Sequence, residues 1–109
     1  MEQSLSKRND IAVGIQEVLQ KAHQPKARAI LFGSRARGDA HRDSDWDILI
    51  LLDKEQITST DKEDISFPIF ELGWEINEMI HPIMYTVQEW ETKNHTPFYK
   101  NVMKEGVTL

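Results

Sequence analysis

Ile11, Ile15, Val18, Leu19 and Ala22 recur at the spacing that gathers side chains on one face of a helix, and predict a first helix from about Ser6 to Ala22. Gln24-Pro25 is expected to end it. Ala27 to Phe32 then reads as a short buried strand, because Ile30, Leu31 and Phe32 are contiguous and apolar. After a Gly33-Ser34 turn, Arg35–Gly38 suits a single helical turn stopped by glycine. Asp45 to Leu52 predicts a second strand whose last five residues are all apolar, the mark of a central strand buried on both faces.

The second half is helix-rich. Thr60 with Glu63 matches a capping box, and Ile65, Ile69, Leu72, Ile76 and Met79 or Ile80 give a second amphipathic helix. Pro68 inside it predicts a kink or a start nearer Ser66. Pro82 to Val87 reads as a third strand, and Thr86 with Glu89 as the capping box of a helix around Trp90. Thr96-Pro97 opens a last helix, with Phe98, Val102 and Met103 expected to face inward and Gly106 to close it. The order is helix, strand, turn, strand, helix, strand, helices. It predicts an α/β sandwich of one sheet covered by helices on one face.

A length of 109 residues suits one domain spanning 1–109. An apolar content of 39% and a charged content of 28% are those of a folded globular chain. No apolar run approaches the ~20 residues of a spanning helix, so no membrane association is expected. The absence of cysteine removes disulfides and thiolate metal sites and makes a cytoplasmic location the default. A net charge of −5 argues against general nucleic-acid binding. The charge is unevenly placed. Residues 26–42 carry five basic side chains against Asp39, a balance of +4, whereas residues 53–91 balance at −8. A compact anionic ligand such as ATP suits the basic block better than a long polynucleotide does.

The chemistry is concentrated in Leu31–Asp39 and Ser44–Ile50. Asp45 and Asp47 are two apart on a strand, so both carboxylates leave one face of the sheet. Two such charges within a few ångströms repel unless a cation lies between them. Hard oxygen ligands of this kind suit magnesium, which usually shares its other positions with phosphates and water. Opposite them, Gly33-Ser34 permits the close backbone approach that a triphosphate needs. The combination points to phosphoryl or nucleotidyl transfer.

Gly-Ser, a short arginine-rich loop and Asp-x-Asp on a strand resemble the nucleotidyltransferase superfamily of DNA polymerase beta. Arg35-Ala36-Arg37-Gly38 and Ser44-Asp45 look most like its minimal nucleotidyltransferases, small proteins of about one catalytic domain. The resembling stretch covers residues 30–52, about a fifth of the chain. It implies a polymerase-beta-like fold, a small mixed sheet with helices packed on one face. It also implies a magnesium-dependent enzyme moving a nucleotidyl group, AMP from ATP in the first place, onto an acceptor. Asp45 and Asp47 would then be the catalytic metal ligands, and Gly33 and Ser34 would hold the β- and γ-phosphates. Minimal members often act beside a helical HEPN-domain partner in toxin–antitoxin pairs.

Other residues leave alternatives open. Arg35 and Arg37 suit phosphate binding, and equally suit pairing with Asp39 or Asp43 to hold the loop. Ser44 is expected to cap the loop and orient Asp45. Active relatives bring a third carboxylate from a later strand, yet Ile80–Thr86 has none. Here His81 reads first as structural and second as a metal ligand or proton acceptor, and Glu75 and Glu78 read first as a solvated helix face and second as carboxylates within reach of the sheet edge. A slow enzyme and a non-catalytic nucleotide-binding module, acting as an antitoxin or regulator, therefore stand side by side. Trp46 alternates with the aspartates and should lie under a helix, while Trp74 is placed at the edge of the core. His23, His41 and His95 lack metal-ligand spacing.

Overall fold

The computed structural model describes residues 2–24 and 26–109, leaving Pro25, one half of the expected helix stop, outside the described residues. The first helix, α1 (Glu2–Lys21), buries Ile11, Ile15 and Leu19. His23 adopts a left-handed conformation (φ 56°), Gln24 N donates to Leu19 O at 3.0 Å and His23 N to Gln20 O at 3.0 Å. That pairing satisfies carbonyls of the last turn.

Strand β1 (Arg28–Phe32) leads through Gly33 into one helical turn, α2 (Ser34–Arg37), which Gly38 closes at φ 87°. Strand β2 (Trp46–Leu52) is antiparallel to β1, with Phe32 opposite Asp47. Residues 53–79 then cross over so that β3 (Ile80–Thr86) lies parallel to β2, a connection that parallel pairing requires. The crossover is helical: α3 (Ser59–Asp61), a widened π turn over Lys62–Ser66, and α4 (Phe67–Glu75). The π turn resolves the difficulty of Pro68, which lacks an N–H for the regular ladder and sits in the first turn of α4. The capping box lies two residues before the expected one. Thr58 and Asp61 cap each other, because Asp61 is buried and fixed by Lys54 Nζ at 2.8 and 3.0 Å.

Thr86 and Glu89 form the expected capping box of α5 (Val87–Glu91), and Thr96 caps α6 (Pro97–Glu105). A final strand, β4 (Val107–Thr108), was not anticipated, being too short to show a period. It pairs with β1, giving the mixed order β3-β2-β1-β4. Period two along β2 divides the core. Trp46, Ile48, Ile50 and Leu52 meet α1, Ile65 and Ile69 on one face. Leu49 and Leu51 meet Trp90, Val102 and Phe98 of α5 and α6 on the other. The aspartate face is therefore open at the Asp45–Asp47 end and covered at the Leu51 end. Two side chains lie outside their expected places. Met103 is 58% exposed, since Phe98 and Val102 already fill the inward stripe of α6. Trp74 is 60% exposed and meets the likewise exposed Phe67 edge-on at 6.3 Å.

Candidate active site

The site is assembled from three chain segments that the sheet brings to one edge. Asp47 lies in β2, flanked by Phe32 of β1 and by His81 of β3. Asp45 precedes β2 by one residue and shares the face of Asp47. Gly33 follows Phe32 and approaches Asp47 so closely that a Cβ there would lie 2.6 Å from Asp47 Oδ2. Its dihedrals, φ 76° and ψ −158°, belong to a region essentially reserved for glycine.

Ser34 opens α2 at this point. Ala36 N and Arg37 N both donate to Gly33 O at 3.0 Å, while the first-turn amides ahead of them point out of the helix without an intrahelical acceptor. Ser34 Oγ has no protein partner among the described residues. The turn thus offers amide and hydroxyl donors beside two carboxylates, the arrangement that a metal–phosphate ligand would bridge.

The two arginines part company. Arg35 Nε and Nη2 donate to Ser44 O at 3.2 and 3.0 Å, Nη2 reaches Arg42 O at 3.1 Å, and the guanidinium lies 4.5 Å from the Trp46 ring. It therefore sits on the Trp46 side of the sheet, holding the loop. Of the two roles open to Arg35, these contacts are those of holding the loop, through the carbonyls of Ser44 and Arg42 rather than through Asp39 or Asp43. Arg37 is on the open side, with Nε 3.2 Å from Asp39 Oδ2 and Nη1 3.3 Å from Glu105 Oε2. These partners hold its guanidinium above the ordinary value, the Asp39 hydrogen bond first and the Glu105 bond next. Ser44 accepts from His41 N at 2.7 Å and returns its own N–H to His41 O at 3.1 Å, closing the loop that delivers Asp45.

Burial pushes the Asp47 carboxyl above the ordinary carboxylate value and Asp45 adds to this, while His81 and Arg37 oppose it. An uncompensated pair of hard oxygen ligands at an open sheet edge fits magnesium with phosphate oxygens and water completing the shell. Among the described residues no group of three or more acidic, histidine or cysteine side chains is placed to share a metal ion. Glu78 is taken by Lys7 at 2.7 Å, and Glu75 lines a groove between α1 and α4. His81, which reads from the sequence first as structural, lies at this edge. Its Nε2 stands 3.9 Å from Asp45 Oδ2, too far for a hydrogen bond but within the same site. Strand alternation counted from a β3 starting at Ile80 would have placed it there.

The fold and the site together define an α/β domain that sets a Gly-Ser turn against a carboxylate pair. The family model "Polymerase beta, Nucleotidyltransferase" matches residues 14–109. The chain belongs to this family, as a minimal nucleotidyltransferase domain. A protein of Methanocaldococcus jannaschii named "Putative protein adenylyltransferase MJ0141" is 43% identical over 58 residues, 53% of this chain and 58% of that protein. Human "Terminal uridylyltransferase 4" is 44% identical over 46 residues, 42% of this chain and 3% of that protein. The chain thus spans little more than half of the first relative and a small part of the second. A solved chain from "Crystal structure of the toxin-antitoxin with AMP-PNP" superposes with a TM-score of 0.60 at 20% identity, covering 89% of this chain and 70% of that one. At that identity it speaks for the fold.

Proposed function

We propose that the chain is a magnesium-dependent nucleotidyltransferase that moves AMP from ATP onto an acceptor hydroxyl. The observation that carries this reading is the juxtaposition of the phosphate turn and the carboxylate edge: a Cβ on Gly33 would lie 2.6 Å from Asp47 Oδ2, with Asp45 two residues before it on the same face. Magnesium, when bound, would neutralise the phosphates and align the attacking and leaving oxygens. Asp45 and Asp47 would hold it. Gly33 and Ser34 would receive the β- and γ-phosphates, and Ser44 fixes the loop on which Asp45 stands. Arg37 is the cation within reach of the triphosphate. Transfer of this kind rests on positioning and charge neutralisation, which these residues supply.

The acceptor would be a partner protein of the helical HEPN type, in a toxin–antitoxin pair in the cytoplasm. The name "Putative protein adenylyltransferase MJ0141" supports a protein as acceptor, and the toxin–antitoxin structure with AMP-PNP supports a toxin–antitoxin setting. One observation favours a second reading, a nucleotide-binding antitoxin without catalysis. Glu78 is paired with Lys7, Glu75 is exposed beside the groove between α1 and α4, and β3 offers His81 where a carboxylate is expected.

The deciding experiment incubates the chain with α-labelled ATP, magnesium and the product of the neighbouring gene. Label on that product, lost in Asp45→Asn and Asp47→Asn, supports the enzyme. Nucleotide binding with no transfer at any concentration supports the binding module.

A further inference from the structure

Between β1 and α6 the surface forms a groove of about 250 Å³, lined by Phe32, Gly33, Arg37, Phe98, Asn101 and Glu105. Gly33 is one of its walls, so the groove is continuous with the phosphate turn. The opposite wall is α6, where Phe98, Asn101 and Glu105 follow one another at helical spacing along one stripe. Phe98 is half-buried, and its ring is fixed edge-on against Phe32 and Trp90, both at 5.5 Å. Asn101 is exposed, and its amide has no hydrogen bond among the described residues. The volume is small for a drug-sized ligand. It is on the scale of one nucleoside.

We infer that this groove is the nucleoside subsite, in which Phe98 stacks the base and Asn101 reads its edge in favour of adenine. The inference rests on the nucleotide reading above. Stacking on an aromatic ring accepts every base, so selection must come from the polar groups. A carboxamide presents one acceptor and one donor side, matching the N6–H donor and N7 acceptor of adenine. Guanine presents acceptors at both O6 and N7. Either the Asn101 carbonyl or the acceptor-only carboxylate of Glu105 would then face O6. Pyrimidines cover less of the Phe98 ring. Arg37 stands where the groove meets the turn, held between Asp39 and Glu105 at 3.2 and 3.3 Å. A triphosphate gives it a further anionic partner, and so ties base recognition to the phosphate end.

The test is calorimetric titration of the full chain, with magnesium, using a non-hydrolysable ATP analogue, its GTP counterpart and inorganic tripolyphosphate. Wild type should prefer the adenine analogue, and Asn101→Leu should lose that preference by about tenfold, the value of one bidentate base contact. Phe98→Leu should weaken both analogues alike, by about tenfold for lost stacking. Neither variant should change tripolyphosphate affinity, which also shows that each has folded. Equal binding of both analogues by wild type, or an unchanged ratio in Asn101→Leu, overturns the subsite while tripolyphosphate binding keeps the phosphate turn. Absence of tripolyphosphate binding in wild type overturns the nucleotide reading and the subsite with it.

Discussion

Asp47 Oδ2 occupies the place that a side chain on Gly33 would need: a Cβ there would meet it at 2.6 Å. The turn after β1 and the carboxylate of β2 are thus one unit, although fourteen positions apart in the chain. Gly33→Ala strains the backbone at φ 76° and displaces Asp47 at once. The variant is expected to lose about 1–3 kcal/mol of stability from the dihedral alone. Its nucleotide affinity should fall below that of Ser34→Ala, which removes only a hydroxyl. Urea unfolding beside ATP titration of both variants measures the two effects separately.

The metal-free pair should be a liability to the fold. Burial and Asp45 both raise the Asp47 carboxyl, so its ionised form is less welcome folded than unfolded. Asp47→Asn should therefore raise Tm in EDTA at neutral pH. Magnesium with a non-hydrolysable ATP analogue should raise Tm in wild type and leave the variant unmoved. An equal ligand-induced rise in both proteins would mean that Asp47 holds no ion.

Much of this site was legible because its parts sit on strongly patterned segments. Strand alternation put Asp45 and Asp47 on one face and Trp46 on the other, and the structure has Trp46 buried against α1 while Asp47 faces Gly33. Positions set by tertiary contacts were not legible. Arg35 and Arg37 are equivalent in sequence, yet the ring of Trp46 draws one under the sheet and Glu105, from α6, holds the other above it. Asp61 took the capping role from Glu63 because Lys54 anchors it. β4 has two residues and no period to read. Asn101, an isolated polar residue on a helix, carried no signal until the fold set α6 against the phosphate turn.

The division of labour between the arginines can be tested directly. Arg35→Lys keeps the charge but gives up the forked contact with Ser44 O and the guanidinium stack on Trp46. It should cost about 1–2 kcal/mol in stability, with tripolyphosphate affinity changed little. Arg37→Ala should do the reverse, weakening tripolyphosphate binding while unfolding near the wild-type urea midpoint. Identical behaviour of the two variants in both assays would remove the distinction.

Asp61 gives a pH signature away from the site. Burial alone would raise its carboxyl, but hydrogen bonds from Lys54 and Thr58, with the Lys54 charge, bring it below the ordinary 3.8. A depressed carboxyl contributes stability that is present above the unfolded value and lost as pH falls through the folded one. Asp61→Asn should thus be less stable than wild type at pH 7, by about 1–3 kcal/mol for a buried charged hydrogen-bond network. The gap should narrow on acidification below the ordinary carboxylate range. Urea midpoints of both proteins at neutral and acid pH supply the comparison.

The sharpest test lies at β3. His81 is in register with Asp47 on the neighbouring parallel strand, is exposed, and stands 3.9 Å from Asp45. A carboxylate placed there would stand beside the Asp45–Asp47 pair, where it could complete the metal set and take the acceptor's proton. His81→Asp should make the metal-free protein less stable, because three like charges then share one edge. Magnesium should restore that stability. If the missing base limits the isolated chain, transfer should rise by about 10²-fold, the lower end of what a positioned base contributes. His81→Ala, which supplies no base, should show no such rise. A rate in His81→Asp no higher than in His81→Ala would mean that the base comes from elsewhere. Adding the partner protein to wild type would then be the condition under which transfer accelerates.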